Sequence, residues 1–242
     1  MFQTRGRSFL DSFRGENASS NKDGNVVASL EYPVDTIEFN GSTTTTNIEI
    51  YAAGTLGTSS GKSQLMDTLL SQMKSIEVIG VGVTEAGLQN ASNQSMIDLT
   101  SLLFGIFQRM NESENKLQCC NPNGRVCIVN TDNVPNNGFV ICQHVMQNAQ
   151  ELYSSGERPI NGLSFVDFLK NKVAFLNTMV DRITSSRKDS NGLVPLCEPL
   201  PKKALVICDE GRDLPVWMSD EGAQSSYGVS SLLDWCLFWC LR

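Results

Sequence analysis

The chain holds one histidine in 242 residues. Histidine is the commonest metal ligand and the usual base near neutral pH, so a histidine-built metal centre or a Ser-His-Asp triad would have to form around His144 alone. That residue stands in the helical-looking "GFVICQHVMQNAQEL", where it reads as a partly buried helix histidine. Basic charge is scarce too, with 19 Lys and Arg against 26 Asp and Glu for a net charge of −7. No dense basic stripe offsets this, which argues against a nucleic-acid binder. Long apolar runs are missing: "VSSLLDWCLFWCL" falls short of the roughly 18 residues a membrane span needs and contains Asp234. The eight cysteines show no zinc spacing, since Cys119 and Cys120 are adjacent and Cys127, Cys236 and Cys240 lack matching partners. Without a signal peptide they read as reduced thiols in a cytoplasmic protein, and no metal is expected.

What is present begins with a polar arm, residues 1–24, whose Arg5, Arg7, Arg14 and serines suggest a transit peptide. Asp11 and Glu16 speak against one, so a disordered arm is expected. The apolar share of 40% is enough for a core. From about Asn25 to Tyr51 the texture is β-rich, with strands expected in "NVVASLEY", "TIEFNG" and "NIEIYAA", separated by a Pro/Asp turn at Pro33 and by a Ser/Thr turn. The stretch "YAAGTLGTSSGKSQLMDTLL" then resembles a phosphate-binding loop. That loop needs G-x-x-x-x-G-K-[ST] so that its backbone N–H groups surround a phosphate, whereas Gly57 and Gly61 stand one residue too close. A flexible turn ending in a helix cap at Ser59 or Ser60 is expected instead.

Beyond this point strands and helices alternate. A helix near Ser63 to Lys74 precedes a strand, "IEVIGVGVT", over Ile76 to Thr84. Next comes a helix in "NQSMIDLTSLLFGIFQRM", with Met96, Leu99, Leu102, Leu103, Ile106 and Met110 on one face. The strand "RVCIVN", the loop "TDNVPNNG" and the helix around His144 follow. "LSFVDFLKNKV" is a short amphipathic helix with Phe165, Phe168 and Leu169 inward, leading into "AFLNTMVDRI", and a last strand is expected in "KALVICDE". Such alternation marks an α/β fold, a Rossmann-like parallel sheet with flanking helices. Ligands bind at the carboxyl ends of parallel strands. The loops "TEAG" and "TDNVPNNG" are the candidates, each also readable as a turn and helix cap.

"VTEAG", "NTDNVPNNG", "NTMVDRIT" and "VPLCEPLPKKALVICDE" come in an order that resembles the mannitol dehydrogenase family of long-chain polyol and hexuronate dehydrogenases, which includes fructuronate and tagaturonate reductases. The resemblance runs from about Ile76 to Asp209. It implies a Rossmann-type domain for NAD or NADP, a mostly helical C-terminal domain, and hydride transfer between the nicotinamide and a sugar alcohol, its ketose, or a hexuronate. Thr84 and Glu85 match the family loop near the cofactor. Asn133 matches the asparagine of the family's "CDN" motif, near both nicotinamide and substrate, with Asp132 its acidic neighbour and Thr131 in place of the usual cysteine. Asp181 matches the substrate-facing aspartate of "VDRI", with Arg182 as its structural partner. An amide such as Asn133 can donate and accept at once, and a carboxylate such as Asp181 can accept from polyol hydroxyls. An ion pair of Asp181 with Arg182 at a strand end is the structural alternative.

Two family features have no match. No Gly-rich turn of the "GxGxxHR" type precedes Ile76, although such a turn brings a pyrophosphate to a helix N-terminus. The K-x5-N-x2-H arrangement, whose lysine is the family's general acid/base, is also missing, and no catalytic residue is assigned. The expectation is therefore a family member truncated at both ends. It comprises the arm 1–24, an incomplete NAD-binding domain over 25–194, and the start of a C-terminal domain with a divergent apolar tail over 195–242. An impaired dehydrogenase and a non-catalytic binding or regulatory protein derived from the family both stay open. An exposed sheet edge and the apolar tail would favour self-association.

Overall fold

The computed structural model describes residues 2–3, 27–38, 40–55, 63, 67, 77–109, 124–153, 162–180, 185–186, 195–197, 205–215, 218 and 238–240. Its strands are β1 Phe2–Gln3, β2 Val27–Ile37, β3 Thr43–Thr55, β4 Val78–Val81, β5 Val126–Asn130, β6 Val173–Val180, β7 Ser185–Ser186, β8 Pro195–Cys197, β9 Leu205–Cys208 and β10 Phe238–Cys240. The helices are α1 Gln94–Arg109, α2 Asn137–Asn148 and α3 Phe165–Lys172, with a 3-10 turn at Glu85–Leu88 and a π turn at Ala149–Tyr153 that prolongs α2. The strand order is β7-β8-β2-β3-β1-β10-β4-β5-β6-β9. Its β4-β5-β6-β9 portion carries the candidate site.

The sequences of β4 and β5, "VIGV" and "VCIVN", are buried throughout, as expected of parallel strands covered on both faces. β4 pairs parallel with β5, Val81 opposite Asn130, and β5 pairs parallel with β6, Ile128 opposite Phe175. β9 closes this end antiparallel to β6, Asn177 opposite Cys208. Side chains alternate between the faces. Ile79, Val81, Val126, Ile128 and Val173 pack beneath the helices, in one cluster with Met96, Leu99, Leu103, Ile141, Val145 and Phe165. On the reverse face Val78, Cys127, Val129, Ala174 and Leu176 lie with Met218, Leu205, Ile207 and Leu214. All three described helices therefore flank the same face, and the segment after β9 helps cover the other.

The helices start where local chemistry allows. Asn93 caps α1 by accepting from the Ser95 N–H at 3.1 Å, and Met96, Leu99, Leu102, Leu103 and Ile106 of the expected stripe are buried, while Met110 lies outside the described residues. Ser164 caps α3, accepting from the Asp167 N–H at 3.1 Å while its hydroxyl donates back to the Asp167 carboxylate at 2.7 Å, a variant of the reciprocal capping box. Lys170 and Lys172 end that helix, where a cation suits the carbonyl end of the dipole. Val173 then turns directly into β6.

At the amino edge of the sheet the Arg125 guanidinium meets the Asp213 carboxylate at 2.7 Å and the Val173 carbonyl at 2.6 Å. Asp209 accepts from the Asp213 and Leu214 N–H groups at 2.8 and 2.9 Å. The turn after β9 is thereby bound back across the sheet.

The β-rich stretch departs from expectation. Instead of three strands it forms one hairpin, β2 antiparallel to β3 from Val27 opposite Ala53 to Ile37 opposite Thr43. Pro33 lies inside β2 opposite Asn47. A proline removes only its own N–H from the ladder, so the pairing continues past the expected break. The turn falls at Glu38 to Ser42, with Gly41 at φ 80°, a conformation open to glycine at no steric cost. "GTSSGKS" and its helix lie outside the described residues except for Ser63 and Asp67, both helical.

Candidate active site

β4 and β5 run parallel in register, so Thr84 and Asn133 leave the carboxyl edge equally far beyond the paired residues Val81 and Asn130. Thr84 stands just ahead of the 3-10 turn in extended conformation, and its side chain makes no capping bond. Its carbonyl accepts from the Gly87 and Leu88 N–H groups at 2.9 and 3.1 Å. Thr84, Glu85 and Asn133 are all exposed. Asn133 is held by its backbone, the N–H donating to the Asp132 carboxylate at 2.7 Å, which leaves its amide turned to solvent. The sequence-derived residues of the two loops thus meet at one edge. Asp181 and Arg182 lie outside the described residues, directly after the last residue of β6.

The residues that hold this edge together were not singled out in the sequence. Asn130, fully buried at the end of β5, accepts from the Val83 N–H at 3.0 Å and donates to the Val83 carbonyl at 3.2 Å. One amide therefore satisfies both peptide groups of the residue preceding Thr84. The Thr131 N–H adds a bond to the Val81 carbonyl at 2.7 Å.

Asn137, also fully buried, does the same for β6. Its Oδ1 accepts from the Thr178 N–H at 3.0 Å, and its Nδ2 donates to the Thr178 carbonyl at 3.0 Å and hydroxyl at 2.9 Å. That Nδ2 also reaches the Asp132 carbonyl at 3.3 Å. The Thr178 hydroxyl donates in turn to the Asn130 carbonyl. Asparagine at the end of an apolar strand, and a second one opening a helix, were the available signals in "VCIVN" and "NNG".

The approach of α2 to β6 requires a glycine. A Cβ on Gly138 would stand 2.4 Å from the Leu176 carbonyl carbon and oxygen. Asn136, just before the helix, adopts φ 53°, a region asparagine enters more readily than most residues. Further along α2, His144 is half-buried and its Nε2 lies 2.8 Å from the Leu88 carbonyl. A carbonyl only accepts, so Nε2 carries the proton. The expected structural histidine is borne out. One helical turn later, Asn148 donates to the Ala91 carbonyl at 2.8 Å.

Amide and hydroxyl groups on exposed loops can donate to and accept from a neutral carboxamide and ribose, which fits the nicotinamide end of a dinucleotide. Neither "VTEAGLQNASN" nor "TDNVPNN" contains a lysine or arginine, and Glu85 and Asp132 add negative charge there. These loops do not fit a pyrophosphate, which belongs at a Gly-rich turn. Among the described residues no group of His, Cys, Asp and Glu is arranged to hold a metal ion.

Parallel strands, covering helices and polar loops at the carboxyl edge define a Rossmann-type domain. A family model described as the mannitol dehydrogenase Rossmann domain matches residues 31–207, most of the chain. The chain belongs to the mannitol dehydrogenase family. Among solved structures, mannitol 2-dehydrogenase of Pseudomonas fluorescens, in a ternary complex with NAD and D-mannitol, is similar at 17% identity and a TM-score of 0.49. The likeness covers 74% of this chain and 38% of that one, so the chain spans well under half of that enzyme. Comparison with curated proteins gives no match.

Proposed function

We propose that the chain binds the nicotinamide end of NAD or NADP between the Thr84–Glu85 and Asn133 loops and serves hydride transfer to or from a sugar alcohol, its ketose or a hexuronate. The observation that carries this is the adjacency of two exposed polar loops at the carboxyl edge of β4 and β5, inside a family Rossmann domain. The cofactor, when bound, supplies or accepts the hydride. Thr84 and Asn133 bind and orient its carboxamide and ribose, and Asn133 also faces the substrate oxygen. Asp181, leaving the next parallel strand, accepts from substrate hydroxyls.

The sequence contains no K-x5-N-x2-H arrangement, so no residue here is assigned the proton at that oxygen. A second reading is a non-catalytic cofactor-binding member of the family. The cysteine usage fits a cytoplasmic protein, and none of the described helices is long and apolar enough to cross a membrane. Self-association through the β9 edge completes the proposal.

Titration of the purified chain with NADH, followed by cofactor fluorescence, tests it. Saturable binding weakened roughly tenfold by Asn133→Ala is expected, the loss of one or two hydrogen bonds to ligand. A folded chain that does not bind NADH would overturn both the dehydrogenase and the cofactor-binding reading. Given binding, turnover of fructose, fructuronate or tagaturonate separates enzyme from non-catalytic binder.

A further inference from the structure

Asn137, His144 and Asn148 lie seven and four residues apart, a spacing that brings all three within about 20° of one line along a helix. Each is spent on loop or strand backbone rather than on α2 itself. Asn137 holds the Asp132 carbonyl and both peptide groups of Thr178. His144 and Asn148 hold the Leu88 and Ala91 carbonyls, which follow Thr84 and Glu85. One helix therefore grips the segments after β4 and β5 and the end of β6.

Of these grips, that of Asn137 is made on Asp132, the residue next to Asn133. The Asn133 side chain bonds to nothing among the described residues; its N–H donates to the Asp132 carboxylate at 2.7 Å, and the Val134 N–H just beyond it donates to the Asp132 carbonyl at 3.1 Å. The Asp132 carbonyl is tied in turn to the Asn137 amide. The position of Asn133 is thus transmitted through Asp132 to a buried side chain on a rigid element.

Resting on the nicotinamide-site reading above, we propose that Asn137 is a positioning residue for that site. Its amide sets Asn133, and the strand end leading to Asp181, at the place where the nicotinamide is recognised. It touches neither cofactor nor substrate.

The test compares the affinity of the full chain for NADH with that for ADP-ribose, which lacks the nicotinamide. Taking the ratio cancels any loss of folded protein. Asn137→Ala is expected to weaken NADH roughly tenfold while ADP-ribose binding changes less than about twofold, the effect of a lost buried hydrogen bond confined to one end of the ligand. In a double-mutant cycle the ratio should fall no further when Asn137→Ala is added to Asn133→Ala, because the two act in series. If Asn137→Ala does not fold, Thr178→Val removes the partner hydroxyl at the same joint and should shift the ratio in the same direction. Ser164→Ala, which removes the cap of α3 and holds neither loop of the site, should leave it unchanged.

Equal losses for NADH and ADP-ribose, no loss for either, or an additive cycle would overturn the positioning role and leave the nicotinamide site standing. A folded parent chain that does not bind NADH would overturn both.

Discussion

Gly138 shows how little freedom single positions have at the carboxyl edge. The atoms nearest its missing Cβ belong to the Leu176 and Asn177 backbone, at 2.4 to 2.7 Å, and backbone in a paired strand cannot swing aside. Gly138→Ala should cost about 1–3 kcal/mol, the usual range for overpacking, and appear as a lower Tm in a thermal melt. Asn130 and Asn133 differ in kind although both are asparagines near one turn. Asn130→Ala strands the Val83 N–H and carbonyl, and should cost about 1–3 kcal/mol of stability in urea denaturation, the penalty for an unpaired buried polar group. Asn133→Ala should leave the urea midpoint unchanged and act only on NADH binding. Burial pushes the Cys142 thiol up, partly opposed by the charge of Arg125. The folded state therefore holds this proton more tightly than the unfolded chain, whose thiol keeps its ordinary value. The resulting stability is complete below that value and is lost as pH rises through the folded thiol's higher one. Urea midpoints should fall on the alkaline side, and fall less in Cys142→Ala. At neutral pH an alkylating reagent followed by peptide mass mapping should label the exposed Cys208 ahead of Cys142.

Elements with strong periodicity were legible in the sequence, and those governed by partners were not. The apolar stripe of α1 and the inward Phe165, Phe168 and Leu169 of α3 are found as expected, because burial of one helix face writes a 3.6-residue period into the chain. The strand expected over Ile76 to Thr84 pairs only across Val78–Val81. Gly82 to Thr84 continue the apolar alternation, but beyond the ladder Val83 is held by the Asn130 side chain, and hydropathy cannot distinguish the two. The hairpin was misread for the opposite reason, Pro33 being weighed as a break although its strand runs on. The loops of the candidate site were found through their sequence motifs, whereas Asn130, Asn137 and Thr178 escaped because a buried amide has no period and shows its role only through its partners. Within the sheet, β5 is paired on both sides and buried throughout, while β9 ends the strand order. Native-state hydrogen exchange should therefore be slowest in β5 and markedly faster in β9.

At the scale of the whole molecule, the sheet ends in β9, where Val206 is 40% exposed opposite Met179 at 52%. An unpaired strand edge beside exposed apolar side chains invites a further strand. The sedimentation coefficient should rise with protein concentration, and Val206→Lys should reduce that rise, since an edge lysine is a common guard against strand addition. The polar line of Asn137, His144 and Asn148 has a consequence of another sort. Each residue inserted into an α-helix rotates everything beyond it by about 100°. An insertion between Gly138 and Gln143 would therefore turn His144 and Asn148 away from their carbonyls while Asn137 kept its own, putting the two ends of the helix out of phase. Each inserted residue would also carry His144 and Asn148 about 1.5 Å further along the axis, so the three contacts together fix the length of α2 between Asn137 and Asn148.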